Sequence, residues 1–266
     1  MRKHLLSDKL PLVAATLLML ASLNLVDIIL AYSLMYLPLY EFEYFSILYT
    51  VIRIAISFLI LYLFKLWFSP EYEGSVKTSG FLYGLKLFLP FVIIWAVWLT
   101  LKGIMGISEY ALPNINMVLT SILAGIGEEE ACRGLGCALL LRSFKSEKKI
   151  WVAPVFSGLV FGLSHLINLN VSENTLDTLG QVLFAIIMGI AFGVVFTLTG
   201  SILPTMFIHS IYDIASASDI GNIDAANSWT AFVDLFASLV IAVILLATLY
   251  KKRTETAELW SRKWKV

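Results

Sequence analysis

Eight apolar stretches separated by short polar segments are the feature that most constrains this chain. The hydrocarbon core of a bilayer is about 30 Å thick, so a helix needs about 20 apolar residues to cross it. We therefore expect an all-α polytopic membrane protein with about eight transmembrane helices, forming a single domain over residues 1–266. The seventh stretch is short, and it either re-enters the membrane or continues to about Ala217. The stretches are Leu10–Tyr36, Tyr44–Phe68, Phe81–Leu101, Ile115–Leu140, Val152–Leu169, Leu179–Leu198, Ile202–Ile214 and Ala231–Tyr250.

Composition agrees with a lipid environment. The chain is 59% hydrophobic and 14% charged, whereas soluble domains carry about 25% charged residues. The formal net charge of zero gives no reason to expect a nucleic-acid partner. Cys132 and Cys137 lie in one apolar stretch, which indicates small buried residues and no disulfide framework.

The distribution of Lys and Arg predicts the orientation. Loops on the cytoplasmic side of a membrane protein are enriched in these residues. If the N-terminus is cytoplasmic, the opposite side receives Lys102 alone, together with the acidic residues Glu41, Glu43, Glu109, Glu173, Asp177, Asp219 and Asp224. The cytoplasmic side then holds Arg2, Lys3, Lys9, Lys65, Lys77, Arg142, Lys145, Lys148, Lys149, Lys251, Lys252, Arg253, Arg262, Lys263 and Lys265. We expect an integral protein of a bacterial plasma membrane with both termini in the cytoplasm.

Ionisable residues inside the predicted spans are functional candidates, because a charge at the bilayer centre costs from a few to over ten kcal/mol. Lys65 and Lys86 lie near predicted cytoplasmic ends, where their side chains can extend to the interface. Asp27 and Arg53 lie at a similar depth on adjacent spans. We interpret this second pair as a structural ion pair.

The fourth span carries three consecutive carboxylates, Glu128 to Glu130, followed by Arg133. Residues four apart share a helical face, so Glu129 and Arg133 are predicted to form an ion pair. Glu128 projects about 100° away from Glu129 and is free to face a cavity as a general base. A structural polar cluster between helices is the alternative, but a single pair would suffice for that purpose.

Two of the three histidines also fall inside predicted spans. His165 ends the string Phe161-Gly-Leu-Ser-His165, and His209 begins the string His209-Ser-Ile-Tyr-Asp213. The second spacing places His209 and Asp213 on one helical face. A single histidine in a membrane helix more often makes an interhelical hydrogen bond than it catalyses a reaction. Together with Glu128, however, His165 and His209 form a set that can activate water.

These three strings, in this order, resemble the signature of the CPBP family, also called the Abi or CaaX protease family. The family pattern is Glu-Glu-x-x-x-Arg, then Phe-x-x-x-His, then His-x-x-x-Asn or Asp. The resemblance covers roughly residues 115–217, the fourth to seventh spans, and implies a four-helix catalytic core there. The matching residues are Glu128, Glu129, Arg133, Phe161, His165, His209 and Asp213.

The resemblance implies an endopeptidase that cleaves membrane-anchored peptides or proteins within the bilayer. It implies that Glu128 activates water with His165 and that His209 and Asp213 stabilise the oxyanion. Glu129, Arg133 and Phe161 would support this geometry. No cofactor is certain: a metal is open, since Glu128, His165 and His209 could bind zinc, but the helical zinc motif His-Glu-x-x-His is absent from the sequence.

One departure from the family pattern concerns Glu130, which extends the acidic pair into a triplet. It leaves open which carboxylate is the base, although the spacing to Arg133 favours Glu128. Two other functions also stay open: a non-catalytic membrane scaffold or bacteriocin self-immunity protein of the same fold, and a small transporter. The complete set of motif residues favours the protease, and the sequence lacks the repeat symmetry typical of many transporters.

Overall fold

The computed structural model describes residues 5–35, 45–170, 175–219 and 228–265, and the regular structure of these residues is helical. The all-α prediction is therefore confirmed. Several residues used in the sequence argument lie outside the described ranges: Arg2, Lys3, Glu41, Glu43, Glu173, Asp224 and the predicted span ends Tyr36 and Tyr44. The α-helices are α1 (Leu5–Lys9), α2 (Pro11–Leu20), α3 (Val26–Met35), α4 (Phe45–Trp67), α5 (Phe81–Ile104), α6 (Ile115–Glu129), α7 (Ala138–Ser143), α8 (Val152–Ser164), α9 (Thr175–Thr199), α10 (Leu203–Ala217), α11 (Ser228–Lys251) and α12 (Arg253–Lys263).

Two of these helices continue through π-helical segments into longer rods. Ala21–Leu25 joins α2 to α3, and Glu130–Cys137 joins α6 to α7. A 3₁₀ segment, His165–Asn170, extends α8. Insertions of this kind are frequent at functional sites, because the extra residue per turn redirects the side chains that follow. The second π-helical segment begins in the acidic triplet.

Six helical segments among the described residues are long and apolar enough to cross a membrane. The predicted fourth and seventh spans are also helical, but they do not meet these criteria. Residues 115–140 contain four charged residues close together, and α10 has only 15 residues. The six segments are Pro11–Leu34, Phe45–Trp67, Phe81–Ile104, Val152–Asn170, Thr175–Thr199 and Phe232–Lys251.

Glycines bring α8 and α9 into close contact. A Cβ atom on Gly158 would lie 2.5 Å from the backbone nitrogen of Ile190, and one on Gly189 would lie 2.9 Å from the Cα of Gly158. Gly193 approaches Pro154 in the same way. Small residues at four-residue spacing are typical of membrane helices whose backbones touch. The backbone of α9 is therefore exposed to groups from neighbouring helices.

Ion pairs join several of the described segments that lie at or near the ends of helices. Arg142 pairs with Asp8 at 2.5 Å and Glu71 at 3.5 Å, which joins three segments that the charge pattern assigned to the same side. Lys102 pairs with Asp219 at 3.2 Å, which joins two segments that the charge pattern assigned to the opposite side. This grouping agrees with the predicted alternation of loops. Which end faces the cytoplasm stays a prediction.

Helix α12 and Trp264, which follows it, pack against α7, α9 and the segment before α5. The indole of Trp260 donates to the carbonyl of Thr197 at 2.7 Å, and that of Trp264 donates to the carbonyl of Ala138 at 3.1 Å. The amine of Lys263 donates to the carbonyl of Gly74 at 2.7 Å. All three side chains are buried. The segment after α11 is thus part of the packed structure, which the sequence analysis did not anticipate.

Candidate active site

The three carboxylates of the acidic triplet have three different surroundings. The side chain of Glu128 is 29% exposed, whereas Glu129 and Glu130 are fully buried. All three belong to the rod formed by α6 and the π-helical segment after it. Successive residues on a helix point about 100° apart, which separates the carboxylates around the rod. Of the three, only Glu128 can meet solvent or substrate.

Glu129 forms the ion pair that its spacing to Arg133 predicts. Nη1 of Arg133 lies 2.7 Å from Oε1 of Glu129, and Nη2 donates to the carbonyl of Gly189 at 2.7 Å. The guanidinium lies over the rings of Phe161 and Phe192, at 4.9 and 5.5 Å from their centroids. This pair therefore connects the rod to both α8 and α9. Cation–π contact adds stabilisation to a charge that has no solvent.

Glu130 makes its hydrogen bonds and its ion pair on a different face of the rod from Glu129. Its two carboxylate oxygens each accept from the hydroxyl of Ser22 at 2.9 Å, and Oε2 lies 3.6 Å from Nη1 of Arg53. Arg53 in turn pairs with Asp27 at 2.7 Å, so the ion pair expected from their similar depth is formed. Glu130 thus holds the helices near the N-terminus against the rod.

His209 on α10 lies between the carboxylates. Its Nδ1–H donates to Oε1 of Glu129 at 3.0 Å, because a carboxylate can only accept. Nε2 is then 3.5 Å from Oε2 of Glu128 and 3.7 Å from Oδ2 of Asp213. The ring stacks on Phe192, with centroids 5.0 Å apart and planes 18° apart. This nitrogen is therefore aimed at Glu128 and Asp213.

His165 caps α8 and starts the 3₁₀ segment. Its Nδ1–H donates to the carbonyl of Phe161 at 3.0 Å, which leaves Nε2 with a free lone pair. The Phe161 ring packs edge-on against both His165 and His209, at centroid distances of 4.9 and 6.0 Å. Phe161 therefore acts as a spacer between the two imidazoles.

A cavity of about 350 Å³ brings these groups together. Glu128, His165, His209 and Asp213 all line it, so the four predicted catalytic residues share one space although they come from three helices. The rest of its wall comes from Phe161, Gln181, Phe184, Ala185, Met188, Phe192, Tyr212 and Ser216.

Comparison with protein families gives a match to this part of the chain. A model described as Rce1-like, type II CAAX prenyl endopeptidase Rce1-like, matches residues 110–215. Residues 110–215 are thus similar to the CaaX-protease family. The predicted family is thus confirmed, and the matched segment contains every motif residue. Neither the comparison with curated proteins nor that with solved structures gave a match.

The CaaX-protease segment does not offer a zinc site among its described residues. Structural and catalytic zinc sites need three or four ligands from His, Cys, Asp or Glu around one point. In the part of the chain that the structure describes, no three such side chains come together in this way. Glu128, His165 and His209 line one cavity but are not grouped around a single point in this way.

Several residues of this CaaX-protease cavity were missed by the sequence analysis. Gln181, Phe184, Met188 and Phe192 lie on α9 at spacings of three and four, which places them on one helical face. Gln181 offered a usable signal, because it is a polar side chain inside the predicted sixth span, Leu179–Leu198. Phe192 offered none, because a phenylalanine that stacks on a histidine looks the same in sequence as one in contact with lipid.

Proposed function

We propose that this chain is an intramembrane endopeptidase that cleaves membrane-anchored peptides or proteins with water activated by Glu128. One observation carries the proposal: the partly exposed carboxylate of Glu128 lies 3.5 Å from Nε2 of His209, in a cavity that His165 also lines. Its two neighbours in the triplet are buried and bonded elsewhere. Similarity to a protease family supports hydrolysis in general.

In the proposed reaction, Glu128 takes a proton from water while the water oxygen bonds to the carbonyl carbon of the peptide. The free lone pair on Nε2 of His165 accepts a hydrogen bond and orients the same water. With a proton on Nε2, His209 donates to the carbonyl oxygen as negative charge develops on it. Asp213 lies one turn further along α10 and holds this imidazole in place. The C–N bond then breaks, and the proton on Glu128 passes to the leaving amine.

The walls of the cavity are suited to binding the part of a peptide that lies close to its membrane anchor. Phe161, Phe184, Met188 and Phe192 provide apolar surface, whereas Gln181 and Ser216 provide groups that can bind a peptide backbone. Hydrophobic and aromatic walls with a few placed polar groups are typical of ligand sites. We propose that residues 115–217 are the catalytic core and that the surrounding helices hold it in a bacterial plasma membrane, with both termini cytoplasmic.

Cleavage by the purified protein in lipid would test this proposal. Peptides with a membrane anchor are incubated with wild type and with Glu128→Ala, and the products are separated by mass spectrometry. We expect cleavage by the wild type alone, at equal folded concentration in both samples. Equal cleavage by both proteins, or by neither with any anchored peptide, would favour the scaffold or self-immunity alternative.

A further inference from the structure

A second cavity, of about 210 Å³, lies against Glu128. Glu128 lines both cavities, and the other residues that line the two cavities differ. The second cavity lies between α6, α4 and the rod that contains Asp27. It is lined by Leu23, Asp27, Tyr49, Arg53, Thr120, Leu123, Ala124, Gly127 and Glu128.

The second cavity carries charged and hydroxyl groups of its own. The hydroxyl of Tyr49 donates to Oδ1 of Asp27 at 3.1 Å, and Nε of Arg53 donates to the same oxygen at 2.7 Å. Arg53 is 2% exposed, but the side chain of Asp27 is 41% exposed. The ion pair is therefore buried at one end and accessible at the other.

Such a cavity is suited to water. A bound water needs two to four polar partners and has a share of liquid volume of about 30 Å³. The space is large enough for several waters, and Asp27, Tyr49, Arg53, Thr120 and Glu128 offer the partners. A dry cavity, in contrast, would require apolar walls throughout.

The proposed reaction also requires a path by which water can reach Glu128 while a peptide is bound. Each cleavage consumes one water, and a peptide that fills the first cavity displaces the water there. We infer that the second cavity admits and stores the hydrolytic water and delivers it to Glu128 from the side opposite the peptide. Asp27, Tyr49 and Arg53 then position water and do not touch the peptide. This inference rests on the proposed endopeptidase function.

A substitution at Ala124 can test this inference, because Ala124 lies one helical turn before Glu128 and lines only the second of the two cavities. Residues four apart share a helical face. A larger side chain at Ala124 would occupy the space beside the carboxylate. The matched control is Ala96, which is exposed on α5 beside Val97, itself 54% exposed.

Thiol labelling tests water entry without any need for proteolysis. Ala124→Cys and Ala96→Cys are reconstituted in lipid vesicles and treated with a cationic, membrane-impermeant methanethiosulfonate. Cys132 and Cys137 are buried in both variants and provide the same background. We expect Ala124→Cys to react roughly tenfold faster or more, because the reactive thiolate forms in water and not in lipid. Equal rates would overturn the inference.

Turnover tests the delivery of water. Ala124→Leu should lower kcat on the order of 10²-fold, the loss that displacing a reacting group by about 1 Å produces, with KM for the peptide unchanged. Ala96→Leu should match wild type. A kcat for Ala124→Leu equal to that of wild type, when wild type is active, would overturn the inference and leave the proposed function intact. If wild type cleaves no peptide, the proposed function fails, and the role of the second cavity in delivering water fails with it. Fast labelling of Ala124→Cys would in that case still identify the second cavity as a water site.

Discussion

His209 and Glu129 are joined by a hydrogen bond of 3.0 Å between Nδ1 and Oε1, although 80 residues separate them. Because this bond occupies Nδ1, only Nε2 of His209 is available to a substrate. The same oxygen of Glu129 also accepts from Arg133 at 2.7 Å. Glu129 is thus committed to two partners, which leaves Glu128 as the carboxylate that can act on water.

Glu128→Gln should abolish turnover and leave the fold nearly unchanged. Glutamine keeps the shape and the hydrogen bonds of glutamate, but it cannot take a proton from water. Loss of a general base slows a reaction by about 10²–10⁴-fold. Initial rates of peptide cleavage measure this effect, with thermal melting used to equalise the folded concentrations.

Glu130→Gln is the comparison within the same triplet. This side chain faces Ser22 and Arg53 and not the cavity, so we expect turnover to stay close to that of wild type. If Glu130→Gln were inactive and Glu128→Gln active, the assignment of the base would be wrong. Activity in both variants would contradict the protease proposal itself.

Glu129→Ala and Arg133→Ala should each destabilise the protein, because either change leaves a buried charge without its partner. Breaking a buried ion pair typically costs about 3–5 kcal/mol of the free energy of unfolding. Unfolding by denaturant in mixed micelles measures this loss. The control is Lys77→Ala, which removes another pair with four-residue spacing, between side chains that are about one-third exposed. Exposed pairs contribute about 0–1 kcal/mol, so an equal effect of all three changes would contradict the structural role of the buried pair.

Gly189→Ala should separate α8 from α9 and weaken the site. The added Cβ would lie 2.9 Å from both the Cα of Gly158 and a ring carbon of Phe161. Overpacking of this kind costs about 1–3 kcal/mol, and it would also shift the carbonyl that accepts from Arg133. We expect lower melting temperature and lower activity.

Gly180→Ala is the matched control on the same helix, because a Cβ there has open space around it. Alanine is favoured over glycine in a helix interior by about 1 kcal/mol. The melting temperature of this variant should equal or exceed that of wild type. A similar loss in both variants would mean that general helix effects, and not contact between α8 and α9, are measured.

The stability of the protein should rise between about pH 7 and pH 10 through Lys263. Burial, with a smaller effect of the nearby positive charge of Lys77, lowers the pKa of the Lys263 amine to about 7. The same amine has a pKa of about 10.4 in an unfolded chain. Between these values the unfolded state holds a proton that the folded state has lost, so the free energy of unfolding increases with pH. Denaturant unfolding of wild type at pH 7 and pH 9 measures the change.

Lys263→Met isolates this contribution, since it keeps an unbranched side chain and removes the titrating amine. We expect a smaller increase in stability between pH 7 and pH 9 for this variant than for wild type. The pKa of Glu73 is also shifted, lowered by the hydrogen bond from Lys77, but this carboxyl titrates well below the range compared here. Parallel pH profiles for wild type and Lys263→Met would contradict the assignment.

The sequence predicts the features that depend on local spacing and on composition. Long apolar runs indicated the helices, and the spacing of Glu129 to Arg133 predicted an ion pair that the structure contains. The depth of Asp27 and Arg53 on adjacent spans likewise predicted their contact. In each case the relevant physics acts within one helix or follows from the thickness of the membrane.

Features that depend on tertiary contact were not predictable in the same way. The partner of Glu130 is Ser22, a residue 108 positions away that carries no signal of its own. The role of Gly189 depends on which backbone atom Arg133 reaches, and hydropathy does not contain that information. The packing of α12 could not be predicted from its composition either, because the helix is mostly polar and charged and yet Trp260 is fully buried.

The two indole hydrogen bonds of α12 have a consequence for biosynthesis. The acceptors are the carbonyl of Ala138, on the rod that carries the acidic triplet, and the carbonyl of Thr197, on α9. Two elements of the candidate site therefore form hydrogen bonds with residues that are synthesised much later. A nascent chain inserts these helices well before Trp260 and Trp264 leave the ribosome. The packing around the site is therefore completed only after residue 264 has been synthesised, and until then the carbonyls at Ala138 and Thr197 lack their indole donors.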